Sequence, residues 1–289
     1  MIVIVGIIIV IGSVLGGFLM AGGNTMALLH LSELIIIGGA ALGALVLMSP
    51  KKVLIDLFKQ IFGALKGTPY KKAAYDELFK ALYELFMLGR RGGMVALEEH
   101  IMNPESSAIF SKYPGFQKNK NAMDFLCNGL RPIIDGKIKP DHLKLLLDIE
   151  LHTMETEHEQ PVGVLMKAAD AMPGFGIVAA VLGIVITMAS IAGPIEKIGE
   201  KVAAALVGTF LGIFISYGFM NPIAVNMEFI NAAQMAYIRC IAASIVSFAN
   251  GMSPIMAVEV ARRGLQSDVK PSSDGLELML KSLNQAPAK

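Results

Sequence analysis

The chain has 289 residues, of which 54% are hydrophobic and only 17% charged, with a mean hydropathy of +0.58. That charge fraction is well under the roughly 25% of an ordinary soluble domain and excludes a disordered or disulfide-scaffold chain. A balance of 25 Lys+Arg against 24 Asp+Glu excludes a strongly basic nucleic-acid binder.

Residues 1–32 contain no Asp, Glu, Lys or Arg, and further uncharged stretches run over 34–50, 171–195 and 202–227. About 20 helical residues span the hydrocarbon of a bilayer. We therefore expect an all-α polytopic membrane protein with four transmembrane helices, about 1–20, 34–50, 171–192 and 202–222. The second is short and needs Leu31–Glu33 at its interface. The first lacks the basic start of a signal peptide and is longer than a typical signal core. This divides the chain into spans one and two (1–50), a helical cytoplasmic loop (51–170), spans three and four (171–227), and a cytoplasmic helix and tail (228–289).

The orientation follows from the basic residues. Of 25 Lys+Arg, 23 lie in 51–170 or after 227, and Lys51 and Lys52 directly follow span two. The positive-inside rule places these regions and both termini in the cytoplasm.

Within the loop, residues 72–88 put Leu78, Leu82, Leu85 and Phe86 on one helical face. Gly89 and Gly92-Gly93 are expected to interrupt that helix before Met94–Met102 resumes it. Asn103–Asn121 reads as a surface linker, and Pro140 opens a helix over about 141–160. Gly89-Arg90-Arg91-Gly92-Gly93, followed by Glu98-Glu99, makes a compact charge cluster, read either as solvated surface or as a partner contact.

The four spans as delimited contain no Asp, Glu, Lys, Arg or His. Transport pathways normally carry an intramembrane ionisable group, so either this chain conducts nothing or a partner brings the carboxylate. Gly12/Gly16, Gly39/Gly43 and Gly208/Gly212 are small-x-x-x-small pairs suited to close helix packing. Pro173, Gly176, Ala180, Gly183 and Thr187 share one face of span three; Ala205, Thr209, Gly212 and Ser216 share one of span four. These faces read as ordinary packing or as the wall of an ion path lined by Ala180, Thr209, Thr187 and Ser216. Pro173 is either a first-turn residue or a hinge. Pro222 deprives the Gly218 carbonyl of its partner and bends the helix, as a static kink or a hinge. Cys127, Cys240 and the scattered histidines have no metal-binding spacing, so no metal is expected. No nucleophile, P-loop or dinucleotide fingerprint appears, and no enzyme activity is expected.

The segments FMLGRRGGMVALEEHIMNP (86–104), MPGFGIVAAVLGIVITM (172–188) and ALVGTFLGIFISYGFMNPIA (205–224) closely resemble the MotA-type flagellar stator family, as do VIGSVLGGFLMAGG (10–23) and MAVEVARRGL (256–265). The resemblance implies a bacterial inner-membrane stator subunit that, with a peptidoglycan-anchored MotB-type partner carrying a membrane aspartate, converts ion flow into torque. It implies five copies around two partner copies. Arg90 and Glu98 then face the rotor's FliG ring, with Arg91 and Glu99 beside them; Pro173 and Pro222 serve the conformational change. Ala180 and Thr209 sit beside the ion path. Sodium-driven relatives tend to carry a hydroxyl at the Ala180 position, so protons are the expected ion, and no cofactor is implied. The readings set against it are an ExbB/TolQ-type energiser, whose relatives resemble a three-span layout, a stand-alone channel or transporter, and a passive scaffold.

Overall fold

A computed structural model describes residues 2–28, 30–189 and 191–285. Among them every regular element is helical. The main helices are α1 (Ile2–Met20), α2 (Leu31–Met48), α3 (Lys51–Lys66), α4 (Lys72–Gly92), α5 (Glu98–Met102), α6 (Pro114–Gln117), α7 (Lys120–Ile134), α8 (Pro140–Met188), α9 (Ile195–Ile215), α10 (Asn221–Ala249), α11 (Pro254–Arg263) and α12 (Ser273–Gln285). Their contacts divide the chain into two compact units: Met1–Gly67 with Glu157–Ile230, and Thr68–Thr156 with Asn231–Lys289.

Four helices in the first unit's sequence are long and apolar enough to cross a membrane: Ile2–Met20, Thr25–Met48, Pro140–Met188 and Ile195–Ala249. No side chain of α1 is buried. A helix that is apolar all round and uncovered needs lipid or another chain against it. Within the unit, Leu45, Leu57, Ala64, Val162, Leu165, Ala168, Ala224 and Met227 form one buried cluster. A second joins Ile37 and Ala41 to Met172 and Ala179.

Two expectations about these helices change. The second span starts at Leu31 rather than 34, with His30 in extended backbone as its cap. Glu33 therefore falls in the helix's first turn, where an acid is favoured by the exposed N–H groups. The third span has no break at its start: α8 runs unbroken from Pro140 through Pro161 and Pro173 to Met188. Pro173 is thus deep inside a helix, and the first-turn reading falls.

The second unit packs around α4, whose Tyr75, Leu78, Phe79, Leu82, Leu85 and Phe86 are buried. Gly89 does not interrupt α4. A Cβ there would stand 3.0 Å from the Phe248 ring and 3.2 Å from Leu97, so glycine serves close approach. One turn away, Phe86 and Phe248 stack with centroids 4.4 Å apart. Asn103–Asn121 is not a surface linker either. Phe110 and Phe116 are buried edge to face, and Glu77 accepts the Phe116 N–H at 3.0 Å. Buried aromatics carry a large apolar area, and three of them in eight residues (Phe110, Tyr113, Phe116) outweigh the polar composition around them. Cys127 and Cys240 are free and buried, and burial pushes the Cys127 thiol up to about 11.

Near the C-terminus, Arg262 donates to both oxygens of Glu259 at 2.6 Å and to the Pro271 carbonyl at 3.0 Å. The hydrogen bonds from Arg262 hold the Glu259 carboxyl down to about 2.

Candidate functional site

In the first unit the small-residue faces of α8 and α9 meet backbone to backbone. A Cβ on Gly176 would lie 2.9 Å from the Gly208 carbonyl oxygen, and one on Gly212 would lie 2.7 Å from the Met172 carbonyl oxygen. Gly183 faces Ala205, at 2.8 Å to its Cβ. Of the three paired-glycine motifs, Gly208/Gly212 alone makes such contacts here; Gly12, Gly16, Gly39 and Gly43 have open space where a Cβ would go. Those motifs leave small surfaces uncovered on α1 and α2.

The four expected path residues divide into two pairs. Ala180 and Thr209 are partly exposed at the edge of the α8–α9 seam. Thr187 and Ser216 are buried, and each hydroxyl is committed to a backbone carbonyl: Thr187 to Gly183 at 2.8 Å and Ser216 to Ala169 at 2.6 Å.

The second bond explains itself through Pro173. In an α-helix the N–H at 173 would serve the carbonyl at 169, and proline has none. The Ser216 hydroxyl takes that place. Ser216 also opens a π-helical turn, Ser216–Met220, in which the Asn221 N–H donates to the Ser216 carbonyl. Pro222 follows directly. Both prolines and the widened turn between them thus belong to one hydrogen-bonded assembly. Ser216→Ala leaves a buried acceptor without its donor and should destabilise the protein by about 1–3 kcal/mol. Thermal unfolding of the detergent-solubilised protein checks this; Ser216→Thr should retain most of the stability.

One buried group here escaped the sequence reading. Glu33 is 5% exposed, and its Oε2 has no hydrogen-bond partner. That oxygen lies 3.2 Å from where a Gly208 Cβ would be, beside Ala179 and the Ala180 N–H.

In the second unit, α4 ends in Arg90 and Arg91, and α5 begins with Glu98 and Glu99. All four are exposed, and none forms an ion pair among the described residues. Gly93, at φ 76°, turns the chain between them in a conformation that only glycine adopts without strain. Buried Leu97 and Ile101 anchor the far side of the turn. Basic groups at a helix C-terminus and acids at an N-terminus are each favoured by about 0.3–1 kcal/mol. The fold thus presents two arginines and two glutamates on a rigid base, with their charges facing solvent.

Comparison with known proteins covers most of the chain. Residues 4–93 match the "Motility protein A N-terminal" family, and residues 117–239 the "MotA/TolQ/ExbB proton channel family". Motility protein A of Salmonella typhimurium is 38% identical over 96% of this chain and 94% of its own length. Among solved structures, the C. jejuni MotAB structure superposes with a TM-score of 0.75 at 21% identity, over 92% of this chain and 96% of the other. The MotAB stator complex of Bacillus subtilis gives 0.73 at 22% identity, over 95% and 98%.

Proposed function

The chain belongs to the motility protein A family of flagellar-motor stator subunits, and we propose that it forms, with a MotB-type single-span partner, a proton path whose flow becomes torque. The observation that carries this is identity sustained over 96% of the chain. Two span-length helices, α1 and α2, precede the cytoplasmic loop, which disfavours the three-span ExbB/TolQ layout.

The partner supplies the central membrane carboxylate and a peptidoglycan anchor, with five copies of this chain around two of the partner. The open glycine surfaces of α1 and α2 suit packing against further helices. Ala180 and Thr209, partly exposed at the α8–α9 seam, flank the ion path, and a methyl at 180 favours protons over sodium. Both termini and the charged turn lie in the cytoplasm. There Arg90 and Glu98, with Arg91 and Glu99, meet charges on the rotor's FliG ring.

The energies set the style of working. A proton crossing about 150 mV delivers roughly 3.5 kcal/mol, at about 2.3 kcal/mol per 100 mV. Driving a two-state element from 1:99 to 99:1 takes about 5.5 kcal/mol. One proton biases a step without locking it, so many small steps are expected.

The rotor contact is tested by charge exchange. Exposed ion pairs are worth about 0–1 kcal/mol, at most about fivefold in a contact equilibrium. Neutralising Arg90 or Glu98 singly should therefore slow swimming modestly. Reversing both should stop most cells, and reversing the opposing rotor charges should restore them. Undiminished torque in the double reversal would show these groups to be merely solvated.

A further inference from the structure

We propose that Glu33 is a proton-binding carboxylate on the outer half of the ion path, held at the α8–α9 seam beside Ala180 and Thr209. This rests on the proton-path reading above and adds a site to it.

The geometry is specific. Glu33 comes from α2, yet its free oxygen reaches the seam between two other helices, where the missing side chain of Gly208 leaves room for it. The residues it touches, Ala179 and Gly208, adjoin Ala180 and Thr209 in sequence. Its other oxygen receives only a 3.4 Å contact from the Ser32 hydroxyl. Gly208 lies two turns beyond Lys201, roughly 10 Å into the uncharged stretch at 1.5 Å per residue.

Burying an ionisable group without a partner is costly, and in a membrane protein such a group commonly marks an ion pathway. A packing role alone would be met by glutamine or leucine. What a carboxyl adds is a proton that it can accept and release. The surroundings leave Glu33 alone in that capacity. The span portion of α8 from Met172 to Met188 brings no acidic, basic or imidazole side chain, nor does Thr25–Leu28. Those of α9 are Glu196, Lys197, Glu200 and Lys201, all in its first two turns, and His30 precedes α2.

The step balances simply. A hydronium ion arriving from the outer side gives its proton to Oε2, leaving water and a neutral acid. The acid passes that proton inward to the partner's carboxylate, and the Glu33 carboxylate is restored.

The test is made on the intact complex in cells whose motors are driven at low load, where proton delivery limits speed. Speed is read per assembled stator across external pH at fixed membrane potential. Glu33→Gln keeps the shape and should lower low-load speed by about tenfold, flatten its dependence on external pH, and spare stall torque. Glu33→Asp keeps the acid but draws it back by a methylene; it should give an intermediate speed with the pH dependence retained. A glutamine variant with wild-type speed and pH profile would overturn the proposal. If that variant does not assemble, an aspartate variant with unchanged speed per stator overturns it equally. Wild-type complexes that pass no protons would instead overturn the proton-path reading, whereas a conducting wild type beside an equally conducting Glu33→Gln removes this inference alone.

Discussion

Gly212→Val will remove most of the assembled protein from the membrane. The first atom of the new side chain would stand 2.7 Å from the Met172 carbonyl oxygen and 3.0 Å from the Gly176 Cα. Both are backbone atoms of α8, so no rotamer change relieves the clash and the two helices must separate. Overpacking of a well-packed site costs about 1–3 kcal/mol and sometimes more. Here separation would also loosen the Gly176–Gly208 and Gly183–Ala205 contacts along the same seam. Gly174→Ala, on α8 with open space at its Cβ position, should leave abundance unchanged. Immunoblots of the membrane fraction alongside swimming assays read both; equal abundance of the two variants would show that the seam tolerates a wider spacing.

Pro222→Leu should do the opposite, keeping the protein in the membrane while abolishing most of its torque. Leucine restores an N–H that can bond to the Gly218 carbonyl, and the π turn over Ser216–Met220 can then tighten to ordinary α-helix. Losing the extra residue of that turn re-registers the helix by about 100°, one residue at 3.6 per turn. Pro173→Ala acts on the same assembly from α8. It gives the Ala169 carbonyl a helical donor and ends that carbonyl's reliance on Ser216. Torque per stator should fall about tenfold in Pro222→Leu, the equivalent of about 1.4 kcal/mol against a step that one proton only biases, and by a smaller factor in Pro173→Ala. Normal torque at normal abundance in both would reduce the prolines to packing features.

The features legible in the sequence were those written in runs and periods. Uncharged stretches announced four membrane helices, and the 3/4 spacing of Gly176, Gly183, Ala205 and Gly212 announced the seam they form. Arg90 and Glu98 stood out because glycines isolate them from any helical face. What escaped depended on contacts between residues distant in sequence. Glu33 was placed outside its span because a window free of charge cannot include it; three residues of helix start moved it inside. The Ser216–Ala169 bond links residues 47 apart, and only the fold shows that a proline on one helix is answered by a hydroxyl on another. Gly89 looked like a helix breaker because the Phe248 ring that requires it comes 159 residues later. Phe110, Tyr113 and Phe116 did carry a local signal, an aromatic every third residue, which the surrounding polar composition masked.

The central claim is that this chain builds a proton path that a partner's carboxylate completes. From Gly208 to Pro222 is about 20 Å of helix with no acidic, basic or imidazole side chain, so Glu33 on its own does not bridge the membrane. The direct measurement is proton flux into vesicles under an imposed pH gradient, for the chain alone, with its single-span partner, and with that partner's membrane Asp changed to Asn. The account predicts tight vesicles, then conducting ones, then tight ones again. A fast leak from the chain alone, or equal flux with the Asp and Asn partners, would contradict it.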